Sequence, residues 1–408
     1  MLTSASSSPA EKILTRLHRE PPARDAGPAA AKDLDIAALY QDLARSIEGE
    51  VRFDRASIGL YATDSSNFRE IPLGVILPRT NEDVVAVHRI CSRYGAPILN
   101  RGGGTSLSGE TVNFALVIDH SKYLNRIGET DVVRRMVTVQ PGAINEQVNK
   151  ATGKHNLVFG PDPSSHAYCC IGGNIGNNSC GIHSVQSQLY GPGPRTSDNV
   201  HAMDVVTYDG ARFRVGVAEE GLLDQIVRDG GRKGDIYRQL RALRDRYAPL
   251  IRNRFPPVSQ LPRRVSGYNL DELLPEKGFN VARALVGTEG TCATALEITL
   301  MLTPALLKRI TIVVNYDELP DASEHISEIL EWKPIGLEAM DDQLFADEHL
   351  EHKDVKGLRQ LPRPGKGAWL LVQFGADTAR DVRDLSRRFQ DWLVHKKRYA
   401  AEIGRAHV

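Results

Sequence analysis

Cysteine is scarce and scattered. Five occur in 408 residues: Cys91, Cys169, Cys170, Cys180 and Cys292. No CxxC pair exists, so the sequence holds no ordinary zinc or iron–sulfur ligand set and no disulfide framework. A reducing, cytoplasmic compartment is the simplest expectation. No apolar run approaches the roughly 20 residues of a membrane helix, so no integral membrane segment is expected. Peripheral association with the inner membrane stays open. Net charge is lacking too, because Lys+Arg and Asp+Glu each number 51. That balance argues against nucleic acid as a partner, which needs a clustered positive field. The N-terminal MLTSASSSPAEK lacks the apolar core of a secretory signal and, with few basic residues before Arg16, does not read as a transit peptide. What is present is ordinary soluble composition, 41% hydrophobic and 25% charged, in a chain too long for one core. Two or more domains are therefore expected.

Residues 1–35 are rich in Ser, Pro and Ala and read as a loose arm, with a short helix around Glu11–Arg19 and a polar helix over Leu34–Ser46. The dense pattern starts near Ile71. Gly74–Leu77 is a strand. Thr80 with Asp83 forms a capping-box-like start to a helix that Gly95 ends, and Pro97–Leu99 resumes a strand. Strands follow at Ala115–Asp119 and Val137–Gln140, then a helix at Ala143–Thr152. Val200–Tyr208 and Arg212–Val217 read as a hairpin across Asp209-Gly210. Helices are expected at Asp235–Arg252 and Gly278–Leu285, and a strand at Leu296–Leu302. Beyond Pro304 a run of strand Ile310–Asn315, helix Ala322–Glu331, strands Gly336–Met340 and Trp369–Phe374 and helix Thr378–Leu393 reads as an incomplete split βαβ sandwich.

Glycine, 35 in all, gathers at two places that carry the chemistry. Asn100–Gly109, NRGGGTSLSG, follows a strand. Gly102, Gly103 and Gly104 let backbone N–H groups approach a ligand, and Thr105, Ser106 and Ser108 add hydroxyls. A phosphate or pyrophosphate suits such a loop; a plain flexible turn would read the same way. No Gly-Lys-Ser/Thr follows, so it is not a Walker loop, and Leu107 stands where the last glycine of GxGxxG belongs. The second place is Gly160–Gly181, read as 22 residues without regular structure. Pro161, Asp162 and Pro163 make a rigid turn; Gly172, Gly173, Gly176 and Gly181 clear space; Asn174, Asn177, Asn178 and Ser179 supply polar edges for a neutral ring system or a ribityl chain. A third turn, Val286–Thr291, is uninformative alone.

Taken in order, ILPRTNEDVVAV, NRGGGTSLSG, GPDPSS, GGNIGNNSCG, the Asp198–Val200 triplet, SGYNL at Ser266–Leu270, VGTEGT and GLEAMDDQLF at Gly336–Phe345 resemble the vanillyl-alcohol oxidase / p-cresol methylhydroxylase superfamily. Within it they resemble the FAD-linked D-2-hydroxy-acid dehydrogenases: the D-lactate dehydrogenase, glycolate oxidase flavin subunit and D-2-hydroxyglutarate dehydrogenase type. The resemblance spans roughly residues 50–395. NNSCG-x-HS at Asn177–Ser184 is most similar to large members fused to an iron–sulfur region. The fold implied is α+β: an arm and helix over 1–48, a two-subdomain FAD-binding domain over 49–304, and a partial ferredoxin-like substrate cap over 305–401. The resemblance implies that Arg101, Gly102, Gly103, Gly104, Thr105, Ser106 and Gly109 wrap the FAD pyrophosphate. Pro161, Asp162, Ser165, Gly172, Gly173, Asn174, Gly176, Asn178, Ser179, Cys180 and Gly181 would line the ribityl and flavin portion, and Glu289 and Gly290 the adenine or ribose side. Thr105 stands where covalent members often carry a His, so non-covalent FAD is expected.

The activity implied is oxidation of a D-2-hydroxy acid to the 2-oxo acid, with electrons passed to a quinone, a cytochrome or an iron–sulfur centre. A non-catalytic FAD-binding subunit is the alternative, and a sugar or lactone oxidase a third reading. The family's HxxxxxxH metal motif does not appear at its expected place, and no catalytic residue is assigned. His349 and His352, three apart, read as a solvated helix face, and His166 and His183 as packing or loop-bonding groups. Nothing in the spacing says whether Tyr268 and Asn269 face the ring. The last seven residues, 402–408, match a reading frame of a sequencing-library adapter. The expectation is a chain cut short, with any 4Fe–4S centre and divalent metal in the missing C-terminal region.

Overall fold

A computed structural model describes residues 34–344, 367–397 and 404–406. The expected helix at 11–19 and the His349/His352 pair lie outside them. Among the described residues no helix is long and apolar enough to cross a membrane.

Short-range signals build the first sheet. Thr80 and Asp83 form a reciprocal capping box that starts the Asn81–Tyr94 helix, and Gly95 ends it in the left-handed region at φ +67. This helix joins β2 (Gly74–Leu77) to β3 (Ile98–Arg101). β1 (Glu50–Arg52) and β4 (Leu116–Asp119) complete a sheet in the order β1-β2-β4-β3. The two strands of the expected β-α-β unit are therefore not neighbours, because β4 inserts between them, parallel to both. β2 and β4 are buried along their whole length, which explains why GVIL and the LVI of β4 are apolar runs rather than alternations. Ile76, Leu116 and Ile118 pack with Val87 and Ile90 of the helix and with Leu39 and Leu43 of the Ile36–Ser46 helix.

The second sheet is antiparallel throughout. It contains β5 (Ile127–Asp131), β6 (Met136–Val139), β8 (Val200–Val206), β9 (Arg212–Val215) and β10 (Thr294–Met301) in the order β5-β6-β10-β8-β9. The expected hairpin is β8–β9, turning at Asp209-Gly210 with Gly210 at φ +79. One face of the sheet buries Val137, Met203, Ile298 and Leu300 with Leu223, Ile226 and Tyr237 of the Glu220–Asp229 and Gly231–Arg254 helices. Val84 and Val85 of the first unit meet Val206 and Leu296 of the second in a small joint core.

A short ladder between β7 (Leu157–Val158) and β11 (Thr303–Pro304) precedes a third sheet. There, β12 (Lys308–Tyr316), β13 (Gly336–Asp341), β14 (Ala368–Ala376) and β15 (Gly404–Ala406) run in the order β13-β14-β12-β15, all antiparallel. β15 comes from the C-terminal stretch read above as foreign. Val382, Phe389 and Leu393 of the Ala379–Lys397 helix pack on Ile312, Leu370 and Phe374. The single helix expected over Ala322–Glu331 is two, Leu319–Glu324 and Ile326–Leu330, joined at His325, whose ring stacks on Tyr316.

Candidate cofactor-binding site

β3 carries Asn100 and Arg101 to the edge of the first sheet, and the glycine loop follows directly. Its glycines are sterically required. A Cβ on Gly103 would lie 2.3 Å from the Tyr168 carbonyl oxygen, and one on Gly102 would lie 2.9 Å from Cys170 Cβ. Two backbone segments, 102–104 and 168–170, thus meet with no room for a side chain. The Arg101 guanidinium lies against Gly104, where an added Cβ would stand 2.6 Å from its Nη2, and Arg101 itself borders the narrower compartment. It donates to the carbonyls of Thr63 (2.9 Å) and Thr111 (3.1 Å) and lies over the Tyr61 ring. These bonds fix the guanidinium beside the glycine loop. Ser106 Oγ donates to Glu110 Oε2 at 3.0 Å and accepts from the backbone N–H of Ser108 and Glu110, fixing the loop's return.

The 160–181 stretch is not irregular throughout. Ile171–Asn177 forms a two-turn helix, correcting the expectation of a continuous loop. IGGNIGN has poor helix propensity, so tertiary bonds must hold it. Gly287 N donates to Ile175 O at 2.8 Å and Glu289 N to Gly176 O at 3.1 Å. The third glycine turn is thus a clamp on this helix. Asn178 ends the helix in the left-handed region at φ +53, and its Oδ1 accepts from Ser197 N at 2.9 Å. Gly173 has no atom beyond its neighbours and its own helix backbone within 4 Å of a Cβ position, so that face of the helix looks into open space.

The open space is one cleft with two connected compartments. The narrower, about 830 Å³ including its open mouth, runs between Asn100, His120, Gly172, Gly176, Glu289, Gly290 and Thr294 and the apolar side chains of Ile175, Met203, Val205 and Leu285. The wider, about 1460 Å³ including its mouth, is lined by Gly102, Gly103, Gly104, Thr105, Ser106, Ser165, Cys169, Cys170, Asn174 and Ser179. Gly102 and Gly173 border both. Of the expected site residues, Gly109, Pro161, Asp162, Asn178, Cys180 and Gly181 do not line the cleft. They lie outside its wall: Asn145 donates to Pro161 O at 3.0 Å, Asp162 pairs with His183, and a Cβ on Gly181 would collide with Asp162 O. Asn100, His120, Met203, Val205, Leu285 and Thr294 line it without having been assigned. Strand alternation marks Met203 and Val205 as inward-facing, but it cannot say that this face borders a ligand space.

Burial sets the electrostatics. It pushes the Cys170 thiol up to about 12 and Cys169 upward, so both are neutral. It pushes the His120 imidazole down to about 4 and His88 downward, so both rings are neutral at physiological pH. The Glu289 carboxyl is raised, first by burial and then by Glu110. Among the described residues no group of three or more His, Cys, Asp or Glu could hold a metal ion. A slot with apolar walls joined to a wider compartment of hydroxyls and glycine N–H groups fits a dinucleotide carrying two ring systems, and so fits FAD.

Residues 72–216 match the family described as an FAD binding domain. Among curated proteins, the chain is 30% identical to D-2-hydroxyglutarate dehydrogenase of Pseudomonas putida over 75% of this chain and 30% of that protein. It is 25% identical to glycolate oxidase subunit GlcD of Escherichia coli over 92% of this chain and 67% of that one. The chain thus spans about a third of the first relative's length. Among solved structures, alkyldihydroxyacetonephosphate synthase matches with a TM-score of 0.60 and 16% identity over 96% of this chain and 63% of that one, a likeness of fold.

Proposed function

We propose, from the match of residues 72–216 to an FAD binding domain, that this domain is of the p-cresol methylhydroxylase type and that the protein the chain belongs to oxidises a D-2-hydroxy acid to the 2-oxo acid. The relatives named above act on substrates of this class by their names. The observation that carries the cofactor half of the reading is the two-compartment cleft.

FAD held there would supply the two-electron acceptor for the C–H of an alcohol, with a base needed for the hydroxyl proton. No residue of this chain is assigned as that base. The chain's own part is binding. Arg101 and the backbone N–H groups of Gly102–Ser106 would hold the pyrophosphate. Ser165, Gly173, Asn174 and Ser179 line the ribityl and ring end, supported by Gly109, Pro161, Asp162, Asn178, Cys180 and Gly181. Glu289 and Gly290 close the adenosine end. The FAD region runs over 49–304 and the cap begins at 305. Thr105 leaves the flavin uncoupled to the chain. The electron acceptor would be a quinone, a cytochrome or an iron–sulfur centre.

The test is a panel of D- and L-2-hydroxy acids with an artificial acceptor, applied to the full-length protein. D-selective bleaching of the flavin is the expected result, and acid precipitation should release all the yellow colour. Tightly bound FAD that no hydroxy acid reduces would sink the oxidation reading, and colour retained in the pellet would sink the non-covalent one.

A further inference from the structure

The tip of the β5–β6 hairpin is made of residues that turns rarely use. Asp131 and Met136 are paired at the end of the ladder, so Val132, Val133, Arg134 and Arg135 form the turn. Gly, Pro, Asn, Asp and Ser dominate turns for conformational reasons, and none of them stands at these four positions. Val133 is 95% exposed and Val132 49%. Arg135 occupies the left-handed region at φ +54, where glycine would sit at no steric cost. Asp131 shapes the turn: its Oδ1 accepts from the Arg134 backbone N–H at 2.8 Å, and its Oδ2 stands 3.9 Å from Arg134 Nε. Folding the hairpin gives no reason for two valines held out in water or for an arginine in a strained backbone position.

Beside this tip the sheet gathers an excess of positive charge. Leu302 N donates to Arg135 O at 2.8 Å, and Leu300 is paired with Val200, so the tip and the start of β8 share one end of the sheet. His201 follows Val200 at a register shift of the β8–β10 ladder, with its side chain exposed. Arg283 Nε donates to Val200 O at 3.3 Å and its Nη2 to Asp198 O at 3.0 Å. Arg214 Nη2 donates to Thr299 Oγ1 at 3.3 Å. These bonds go to carbonyls and a hydroxyl, which leave the charges in place. Arg283 also faces the buried Glu272, so Arg134, Arg135 and Arg214 carry most of the excess. The His201 imidazole registers it: burial lowers its pKa first, then Arg214, Arg283 and Arg134. Farther along the same sheet the cations are paired, Arg126 with Glu297 and Arg212 with Asp204.

We propose that the β5–β6 tip, with Arg214 and Arg283 beside it, is a docking surface for an anionic lipid bilayer. Val132 and Val133 enter the headgroup layer, and the guanidiniums meet lipid phosphates. Charge alone would suit an acidic protein equally well. A bilayer also gives a use to aliphatic side chains at the point of a turn, because it offers negative charge at its surface and an apolar layer directly beneath. The contact would be reversible and peripheral, since no helix among the described residues is long and apolar enough to cross a membrane. It is independent of the oxidation reading.

Cosedimentation of the 408-residue chain with lipid vesicles tests this. The chain should pellet with vesicles of mixed phosphatidylglycerol and phosphatidylcholine, less so as salt is raised, and stay in solution with phosphatidylcholine alone. Arg135→Gly separates docking from folding. It should weaken binding roughly fivefold, the worth of one arginine near an anionic surface, while the melting temperature holds or rises because glycine accepts the positive φ. Val133→Asp, at a position the fold leaves in water, should weaken binding further with the melting temperature unchanged. Failure of the wild-type chain to pellet with the mixed vesicles would overturn the proposal, as would equal pelleting with phosphatidylcholine alone. So would wild-type binding by both variants. A chain that ignores vesicles yet binds polyglutamate would assign the surface to an acidic protein instead.

Discussion

A glycine in a ligand cleft can be there for the fold or for the ligand, and substitution separates the two only where the protein itself leaves room. At Gly103 an added methyl strikes the Tyr168 carbonyl, and at Gly172 it lies 2.9 Å from Pro141 Cβ. Alanine at either position disturbs the backbone before any ligand arrives. Gly173 differs: it is helical, borders both compartments, and faces no atom beyond its neighbours and its own helix backbone within 4 Å. Alanine in a helix is worth about 0.5–1 kcal/mol over glycine. Gly173→Ala should therefore hold or raise the melting temperature of the apoprotein while weakening FAD at least tenfold, as the methyl enters the cleft. Thermal melts with and without FAD read both quantities at once. Unchanged stabilisation by FAD in this variant would mean that the helix face does not contact the cofactor.

At the scale of elements, the cleft helix is held from behind by a buried ionic turn. Arg195 is fully buried; its Nε and Nη2 donate to the two carboxylate oxygens of Asp198 at 3.1 and 2.7 Å. Thr196 donates from both its N–H (3.1 Å) and its hydroxyl (2.8 Å) to Ser179 O, so the turn and the cleft wall are tied together. Glu272 lies 3.5 Å from Arg195, yet neither of its oxygens has a hydrogen bond, and burial raises its pKa. Removing one partner of a buried pair costs about 3–5 kcal/mol. Asp198→Asn should lose that much in urea denaturation, whereas Glu272→Gln should change stability by less than about 1 kcal/mol at neutral pH. Equal effects would show that Glu272, not Asp198, balances the guanidinium. The sequence made some of these elements readable and hid others for physical reasons. The Thr80–Asp83 box, the Asp209-Gly210 hairpin and the buried strands are local signals of capping, turn chemistry and burial. The Ile171–Asn177 helix is not local: its glycines argue against it, and bonds from Gly287 and Glu289 hold it. Insertion of β4 between β2 and β3, and of β10 at the centre of the second sheet, leaves no mark in periodicity. The glycine loops were legible as ligand surfaces because glycine there has a steric reason. The His88–Thr294 contact joins positions 206 residues apart, and no spacing rule reaches that far.

At the scale of the whole molecule, the third sheet, the cap of the proposal above, meets the region proposed to hold FAD at His183. Its backbone N–H donates to Asp162 Oδ1 at 2.9 Å and its Nδ1 is paired with Asp162 Oδ2. On the other side Nε2 lies 2.8 Å from Gln373 Oε1 on β14 and 3.3 Å from Arg309 on β12. Gln373 in turn donates to Thr311 Oγ1 at 3.0 Å, so the strap ends inside the cap sheet. The cap has its own core of Ile312, Leu370, Phe374 and Phe389, so cutting the strap should free it without unfolding it. His183→Ala keeps the backbone bond to Asp162 Oδ1 but strips Oδ2 of its ring partner and leaves Gln373 Oε1 facing a gap, a loss of about 1–3 kcal/mol of coupling. In scanning calorimetry the variant's cap should melt in a separate, earlier transition. The FAD region should keep a transition that rises with added FAD, because a ligand stabilises only the unit that binds it. His183→Gln, which retains a donor, should move the two transitions back toward one another. If His183→Ala melts like the wild type, in the same number of steps and at the same temperature, the imidazole is not what couples the two parts.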